Sequence, residues 1–403
     1  MVSSKLRMRP FFVYGLLMLG TYQFYTFEKT NDMKFHPLFI ALVSTLALSA
    51  QDHSHKSSRA ITFPDVPGYK TLKTDLHQHT VFSDGNVWPT IRVMEALRDN
   101  LDVISLTEHI EYQPHKEDIP HPDRNRSYHL ALQEAKDHDL LIIHGSEITR
   151  QAPMGHNNAV FIQDANKLLN ENAEDSFAEA KKQGAFIFWN HPAWYAQSPQ
   201  GTPILSDFQK ERIRKGELNG IEVINTGDYA EESLSLALEN NLTIMGTSDI
   251  HGLIDWDYIE KGHDRPITLV FAKEKTPESL KDALFAGRTV AVFNSLLVGK
   301  KENLVPLLQA CIEVEKAEYI NKTSILEVAL KNVSSSDLIF ENQMPYTFYS
   351  SSPVFTVPAG GTKTINIKTL DKKDGITLKL KALGAYVAPK EQPTIEWSIK
   401  VED

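Results

Sequence analysis

LDVISLTEHIE, residues 101–111, is a run of apolar side chains that stops at a carboxylate and an imidazole, Glu108 and His109. Continuous rather than alternating apolarity marks a strand buried on both faces. The same kind of run recurs at LLII (140–143), AFIFW (185–189), IEVI (221–224), LTIMG (242–246) and ITLVF (267–271). Segments with helical spacing lie between them, at 90–98, 127–137, 230–240 and 277–286. The last shows its boundaries: Thr276 as N-cap, Pro277 at the first helical position, Glu278 in the first turn and Gly287 just past the end. Strands alternating with helices mean an α/β fold with a parallel sheet. About seven such repeats between Lys70 and Phe293 favour a closed barrel over an open sheet.

The texture changes near Cys311. SILEVALKNV (324–333), TKTINIKTL (362–370), GITLKLKAL (375–383) and TIEWSIKVED (394–403) alternate apolar with polar residues, and turn clusters such as PAGG (358–361) separate them. Strands without intervening helices predict a small C-terminal β-sandwich. The resulting layout is an N-terminal extension at 1–50, a linker at 51–69, a barrel at 70–300 and the sandwich at 311–403, with GKKENLVP (299–306) as the joint.

Within the extension, MKFHPLFIALVSTLALSAQ (33–51) has the three parts of a secretory signal: basic Lys34, an apolar run from Pro37 to Leu48, then small Ser49 and Ala50. This predicts translation from Met33 and a mature chain outside the cytoplasm, periplasmic or extracellular. That run and an upstream one, Phe11 to Gly20, are both shorter than the ~20 apolar residues a spanning helix needs. No stable membrane insertion of the mature chain is expected. The 403 residues carry a formal charge of −10; five basic against two acidic side chains in the first 50 leave −13 on the rest. So acidic a chain, without a basic run, argues against nucleic acid as a partner. Self-association is left open. Cys311, the single cysteine, cannot form an internal disulfide and reads as a small buried hydrophobe.

Chemistry gathers at the ends of the apolar runs. TDLHQHTVFSDG (74–85) brings His77, His79 and Asp84, and residues i and i+2 of a strand share a face, so His77 and His79 can converge on one ion. Alone, such a pair could equally be two solvated loop histidines. The series continues with Glu108 and His109, Glu147 in HGSEIT, His156, His191 in FWNHPAW, and Asp249 with His251 in TSDIHG. Five separate apolar strands end in a histidine or carboxylate, which is where a βα barrel assembles its active site. Imidazoles mixed with carboxylates suit Zn, Mn or Fe, and so many donors are too many for one ion.

At these residues the chain resembles the PHP superfamily of metal-dependent hydrolases. DLHQHTVFSDG, LTEH, GSEIT, NHP and TSDIHG stand in the family's order over roughly residues 70–295. The resemblance implies a distorted (β/α)7 barrel with a centre of two to three divalent ions at the C-terminal ends of its strands. It implies one ion held by His77, His79, Glu147 and Asp249, a second completed through Glu147 by His156 and His191, and a third held by Asp84, His109 and His251. Asp84 stands where some relatives have histidine. The later segments 265–274 and 283–308 resemble exported Sb-PDE-type phosphodiesterases, which also carry a C-terminal β domain.

The expected activity is hydrolysis of a small phosphate ester, a diester in the first place, by a metal-bridging hydroxide attacking phosphorus. Glu147, Asp249 and His191 are the expected catalytic groups. Arg124, Arg126, Arg150 and Arg288 are candidates to clamp a phosphate oxygen, and Arg288 could equally be a structural ion-pair partner. Hydrolysis of a carboxylic or carbamate ester at the same site, and a non-catalytic binding module, are the alternatives.

Overall fold

The computed structural model describes residues 60–402, so the signal-peptide reading at 33–50 lies outside the described residues. Eleven strands come first: β1 (Lys70–Asp75), β2 (Val103–Leu106), β3 (Leu141–Thr149), β4 (His156–Val160), β5 (Phe186–Trp189), β6 (Gly220–Asn225), β7 (Asp228–Tyr229), β8 (Thr243–Thr247), β9 (Ile267–Ala272), β10 (Thr289–Phe293) and β11 (Leu296–Gly299). The helices among and after them are α1 (Pro89–Arg98), α2 (Arg126–Glu134), α3 (Ala173–Lys182), α4 (Asp207–Arg214), α5 (Glu231–Glu239), α6 (Ile254–Asp257), α7 (Pro277–Phe285) and α8 (Lys301–Cys311). Each of the four helices read from the sequence is present, and α7 is capped as expected, Thr276 accepting from the Ser279 amide at 3.2 Å.

These strands form one curled, mixed sheet in the order β11-β10-β9-β1-β2-β3-β4-β5-β6-β7, with β8 also on β6. The parallel steps are β1–β2, β2–β3, β5–β6 and β6–β8. The sequence reading expected parallel pairing throughout, but β4 runs antiparallel to both neighbours, and β9 and β10 are antiparallel to the strands beside them. Only residues 150–155 join β3 to β4. A parallel crossover needs about a dozen residues, so the chain turns straight back.

The curl brings β8 against β9 and β10 without a backbone ladder. Thr268 Oγ accepts from the Gly246 amide at 2.9 Å and donates to the Gly246 carbonyl at 2.7 Å. Thr289 Oγ donates to the Ile244 carbonyl at 2.7 Å. A Cβ on Gly246 would stand 2.8 Å from the Ile267 carbonyl oxygen and 2.9 Å from Ala291 Cβ, so the approach requires glycine. Inside the curl lie Leu72, Val103, Ile143, Phe186, Met245 and Val270, packed with Leu280 and Leu284 of α7.

The C-terminal part is a sandwich of two antiparallel four-stranded sheets. One contains β12 (Ile312–Tyr319), β13 (Ile325–Asn332), β17 (Thr362–Lys368) and β15 (Thr347–Phe348), and the other β16 (Val354–Val357), β14 (Leu338–Asn342), β18 (Gly375–Leu383) and β20 (Thr394–Lys400). The remaining strand, β19 (Ala385–Tyr386), leaves the sandwich and pairs in parallel with β11 of the large sheet. Residues 299–306, expected as a joint, run from the end of β11 at Gly299 into helix α8. Leu304, Leu307, Leu308 and Cys311 on its buried face bridge the outer layer of the barrel and the sandwich into one apolar cluster. Burial pushes the Cys311 thiol up to about 12, in keeping with a packed, unreactive cysteine. Ile61, Phe63 and Val66, within the stretch expected to be linker, are buried in that same cluster.

If β8 depends on this close approach, Gly246→Ala should cost about 1–3 kcal/mol of stability through overpacking, read by denaturant unfolding. An unchanged midpoint would show that the contact has slack.

Candidate metal centre

One mouth of the curled sheet collects the chemistry. His77 and His79 follow β1, His109 follows β2, Glu147 lies near the end of β3, His191 follows β5, and Asp249 and His251 follow β8. His156 opens β4, and the β3–β4 hairpin pairs it with Thr149. Because β4 runs backwards, its first residue stands at the same mouth as the last residues of the parallel strands. Asp84 comes from the loop between β1 and α1.

All nine sequence candidates meet there. The Nε2 atoms of His77 and His79 are 3.1 Å apart, and each is 3.1 Å from Asp249 Oδ1. Glu147 Oε2 is 3.5 Å from His77 Nε2, 3.4 Å from His79 Nε2 and 2.9 Å from His109 Nδ1. Its other oxygen is 2.7 Å from His156 Nδ1 and 4.0 Å from His191 Nε2. Asp84 Oδ1 lies 3.4 Å from His109 Nε2 and 3.1 Å from His251 Nε2. Four overlapping groups have donor atoms mutually within 4.8 Å: His77–His79–Asp249, His77–Glu147–His191, His109–Glu147–His156 and His79–Asp84–His109–His251.

The donors fit divalent cations. Ligands about 2.1 Å from a common ion stand about 3 Å from one another, which is the spacing found. Both Glu147 oxygens, Asp84 Oδ1 and His156 Nδ1 are buried yet have no hydrogen-bond partner, despite the short approaches. Buried polar atoms are otherwise almost always satisfied, so atoms that crowd together without hydrogen-bond geometry are aimed at something between them. The backbone is bent to match: His191 and Asp249 take φ of 29° and 49°. Such left-handed conformations are costly away from glycine and cluster at functional sites.

Electrostatics point the same way. Burial would raise the Glu147 carboxyl, but His109 and His156 outweigh it and hold it well below the usual range. Burial would lower His109, but Glu147 and Asp84 raise it to about 11. Burial lowers His79 to about 3, helped by His251 and His109. Without cations the carboxylates recruit protons onto selected imidazoles, and a divalent ion competes for the same lone pairs.

A further set of residues fixes the donors. Glu222, buried on β6, takes His77 Nδ1 at 2.7 Å and accepts from the His191 amide at 2.6 Å, Thr247 Oγ at 2.6 Å and Asn225 Nδ2 at 2.9 Å. The sequence reading passed over Glu222; its signal was a lone carboxylate inside the apolar run IEVI. Buried Arg92 donates to the carbonyls of His79 and Ile250 at 3.0 and 3.1 Å. Buried Arg265 pairs with Asp75 at 2.7 Å, and Asp75 accepts from Ser248 Oγ at 2.5 Å, next to Asp249.

Above the centre opens a cleft of about 600 Å³, whose walls include Tyr112, Pro192, Trp194, Val223, Asn225 and Asp228. None of the four arginines expected to clamp phosphate lines it. Arg150 pairs with Glu111 at 3.0 Å and donates to the Glu171 carbonyl, Arg124 bonds Gln113, and Arg126 is exposed at the start of α2. Arg288 sits before β10 at the opposite end of the sheet, bonded to the Phe271 carbonyl at 3.0 Å and stacked over Tyr69. No arginine or lysine lines this cleft among the described residues.

A family model described as an Ig-like domain matches residues 312–398. A two-domain protein from Bacteroides vulgatus containing a predicted PHP-like metal-dependent phosphoesterase is 39% identical, with a TM-score of 0.78 over 85% of this chain and 99% of its own. Less similar are a candidate metal-dependent phosphoesterase from Bifidobacterium adolescentis (18% identity, TM-score 0.35, 46% of this chain and 90% of that one) and PsfC from Pseudomonas syringae (19%, 0.41, 56% and 93%). No curated protein matches. The chain belongs to the PHP-like metal-dependent phosphoesterases, with an Ig-like domain following the barrel.

Because Glu222 orients His77 and His191 together, Glu222→Gln should weaken metal binding by roughly 10–100-fold, measured by competition with a chromogenic chelator. Unaltered affinity would mean that these imidazoles need no such support.

Proposed function

We propose that this chain is an exported phosphodiesterase acting on a small diester at a centre of three divalent ions, Zn, Mn or Fe. The observation that carries this reading is a cleft lined by six of nine converging candidate donors, with no arginine or lysine among its described lining residues. A monoester dianion calls for cationic clamps in addition to the metals, whereas a diester brings a single negative charge and a second alcohol to be housed. The apolar and aromatic walls at Tyr112, Pro192, Trp194 and Val223 suit that second alcohol.

Divalent cations would polarise the phosphoryl oxygens and lower the pKa of water at the site. The chain's own groups hold this arrangement in place. Asp249, which lines the cleft, and buried Glu147 are shared carboxylates, each approached by several imidazoles. His191, fixed through Nδ1 by Gln197 at 2.9 Å, turns Nε2 towards both carboxylates. Trp194 packs edge-on against His156 and His191 with centroids 5.6 and 5.3 Å away, and shields them from bulk water. Among the described residues no helix is long and apolar enough to cross a membrane. The three-part leader at 33–51 supports export to the periplasm or beyond.

The test compares bis(p-nitrophenyl) phosphate, p-nitrophenyl phosphate and p-nitrophenyl acetate with the Mn- or Zn-loaded protein. The diester should exceed the monoester in kcat/KM by about tenfold or more, and His191→Ala should lower diester turnover by roughly 100-fold. Preference for the acetate would move the assignment to carboxylic esters, and preference for the monoester would remove the diester claim.

A further inference from the structure

The far wall of the cleft is a tight hairpin, Asn225–Ala230, whose Asn225, Thr226, Asp228 and Ala230 line the cavity. It is a two-residue turn in which Asn225 pairs with Asp228 and Ile224 with Tyr229. Thr226 takes φ of 53° and Gly227 φ of 109°. So short a ribbon has little stability of its own and must be held from outside. Thr247 of β8 accepts from the Thr226 amide at 3.3 Å and from Asn225 Nδ2 at 3.4 Å, and two aromatic rings pack against the turn. Phe293, from β10 of the barrel, lies under the turn, where a Cβ on Gly227 would be 2.9 Å from its ring. Tyr386 stacks on the Tyr229 ring with centroids 5.7 Å apart and planes inclined by 22°.

Tyr386 belongs to the Ig-like domain. It lies in β19, which leaves the sandwich and adds to the barrel sheet, Val298 pairing with Tyr386 and the Leu297 amide donating to the Gly384 carbonyl at 3.0 Å. The hairpin also connects inwards, since Asn225 Nδ2 reaches Glu222, the carboxylate that orients His77 and His191. The C-terminal domain therefore meets the cleft wall at the stacked Tyr229 and Tyr386 rings.

We infer that the Ig-like domain is part of the substrate site: Tyr386 is a positioning residue that holds the Asn225–Ala230 hairpin as the wall against which the ester's alcohol group packs. This rests on the phosphodiester reading for the identity of the ligand, but not for the coupling itself. The hairpin also sets what the alcohol can be. Its exposed Asp228 places a carboxylate on this wall with no lysine or arginine lining the cleft among the described residues, so the group accommodated there is uncharged or cationic and carries no second phosphate.

The full-length, metal-loaded protein is compared as wild type, Tyr386→Ala and Tyr386→Phe. Hydrogen exchange should quicken over 225–230 in Tyr386→Ala, with the barrel strands unchanged, and Tyr386→Phe should match wild type because the stacked ring is kept. For bis(p-nitrophenyl) phosphate, Tyr386→Ala should raise KM roughly fivefold with kcat within about twofold and metal content unaltered, and the effect should shrink for methyl p-nitrophenyl phosphate, whose second alcohol is small. Unchanged exchange and KM would overturn the inference. So would a fall in kcat together with metal content, which would mark Tyr386 as a general stabilising residue. Should wild type hydrolyse no phosphate ester, the exchange comparison still decides the coupling, and only the phosphodiester reading fails.

Discussion

Glu147 is fully buried, and neither of its oxygens has a hydrogen-bond partner. A carboxylate removed from water without hydrogen bonds is among the costliest features a folded chain can carry. Here it is ringed by His77, His79, His109, His156 and His191, all but His156 also close to further carboxylates. Such a cluster is stable only when positive charge is shared across it, by protons in the apo protein and by divalent ions in the working one. The rest of the fold can be understood as the means of holding these like and unlike groups within a few ångströms of each other.

The scaffold does so by redundancy. Buried ion pairs and hydrogen bonds from Arg92, Arg265, Asp75 and Glu222 pin the backbone or the distal nitrogens of the donor residues. These contacts come from helix α1, from the segment before β9 and from strands β1 and β6, so the donors they reach do not depend on their own loops alone. Glu108 adds to this by accepting from Thr80 and Ser83, which stiffens the loop between His79 and Asp84. The sandwich is coupled to the same scaffold through the apolar face of α8, through β19 and through the segment before β1, where Thr62 and Ser335 exchange hydrogen bonds.

Much of this was legible because buried strands of a curled α/β sheet write themselves as unbroken apolar runs, and His109, His191, Asp249 and His251 come directly after such runs. Asp84, in a loop, and His156, at the start of a strand, have no such marker. Strand direction was not legible: the short 150–155 connection that reverses β4 looks in sequence like any loop, although it is what carries His156 to the mouth. Glu222 was hidden because its partners are 145 residues away at His77 and 25 away at Thr247. The arginines misled because a guanidinium in a loop near a motif says nothing about direction, and Arg288 lies at the far end of the sheet. In the sandwich, alternation exposed β13, β17, β18 and β20, while β12 escaped because an irregularity between Val314 and Lys316 breaks its period.

The space between Glu147, Asp249 and the surrounding imidazoles is shaped for cations. Anomalous diffraction from crystals of the metal-loaded protein, collected across the absorption edge of the loaded metal, tests it directly. Two or more peaks should appear, one between His77, His79 and Asp249 and another beside Glu147 and His156. A map without peaks there, or with ions bound elsewhere on the chain, would contradict it.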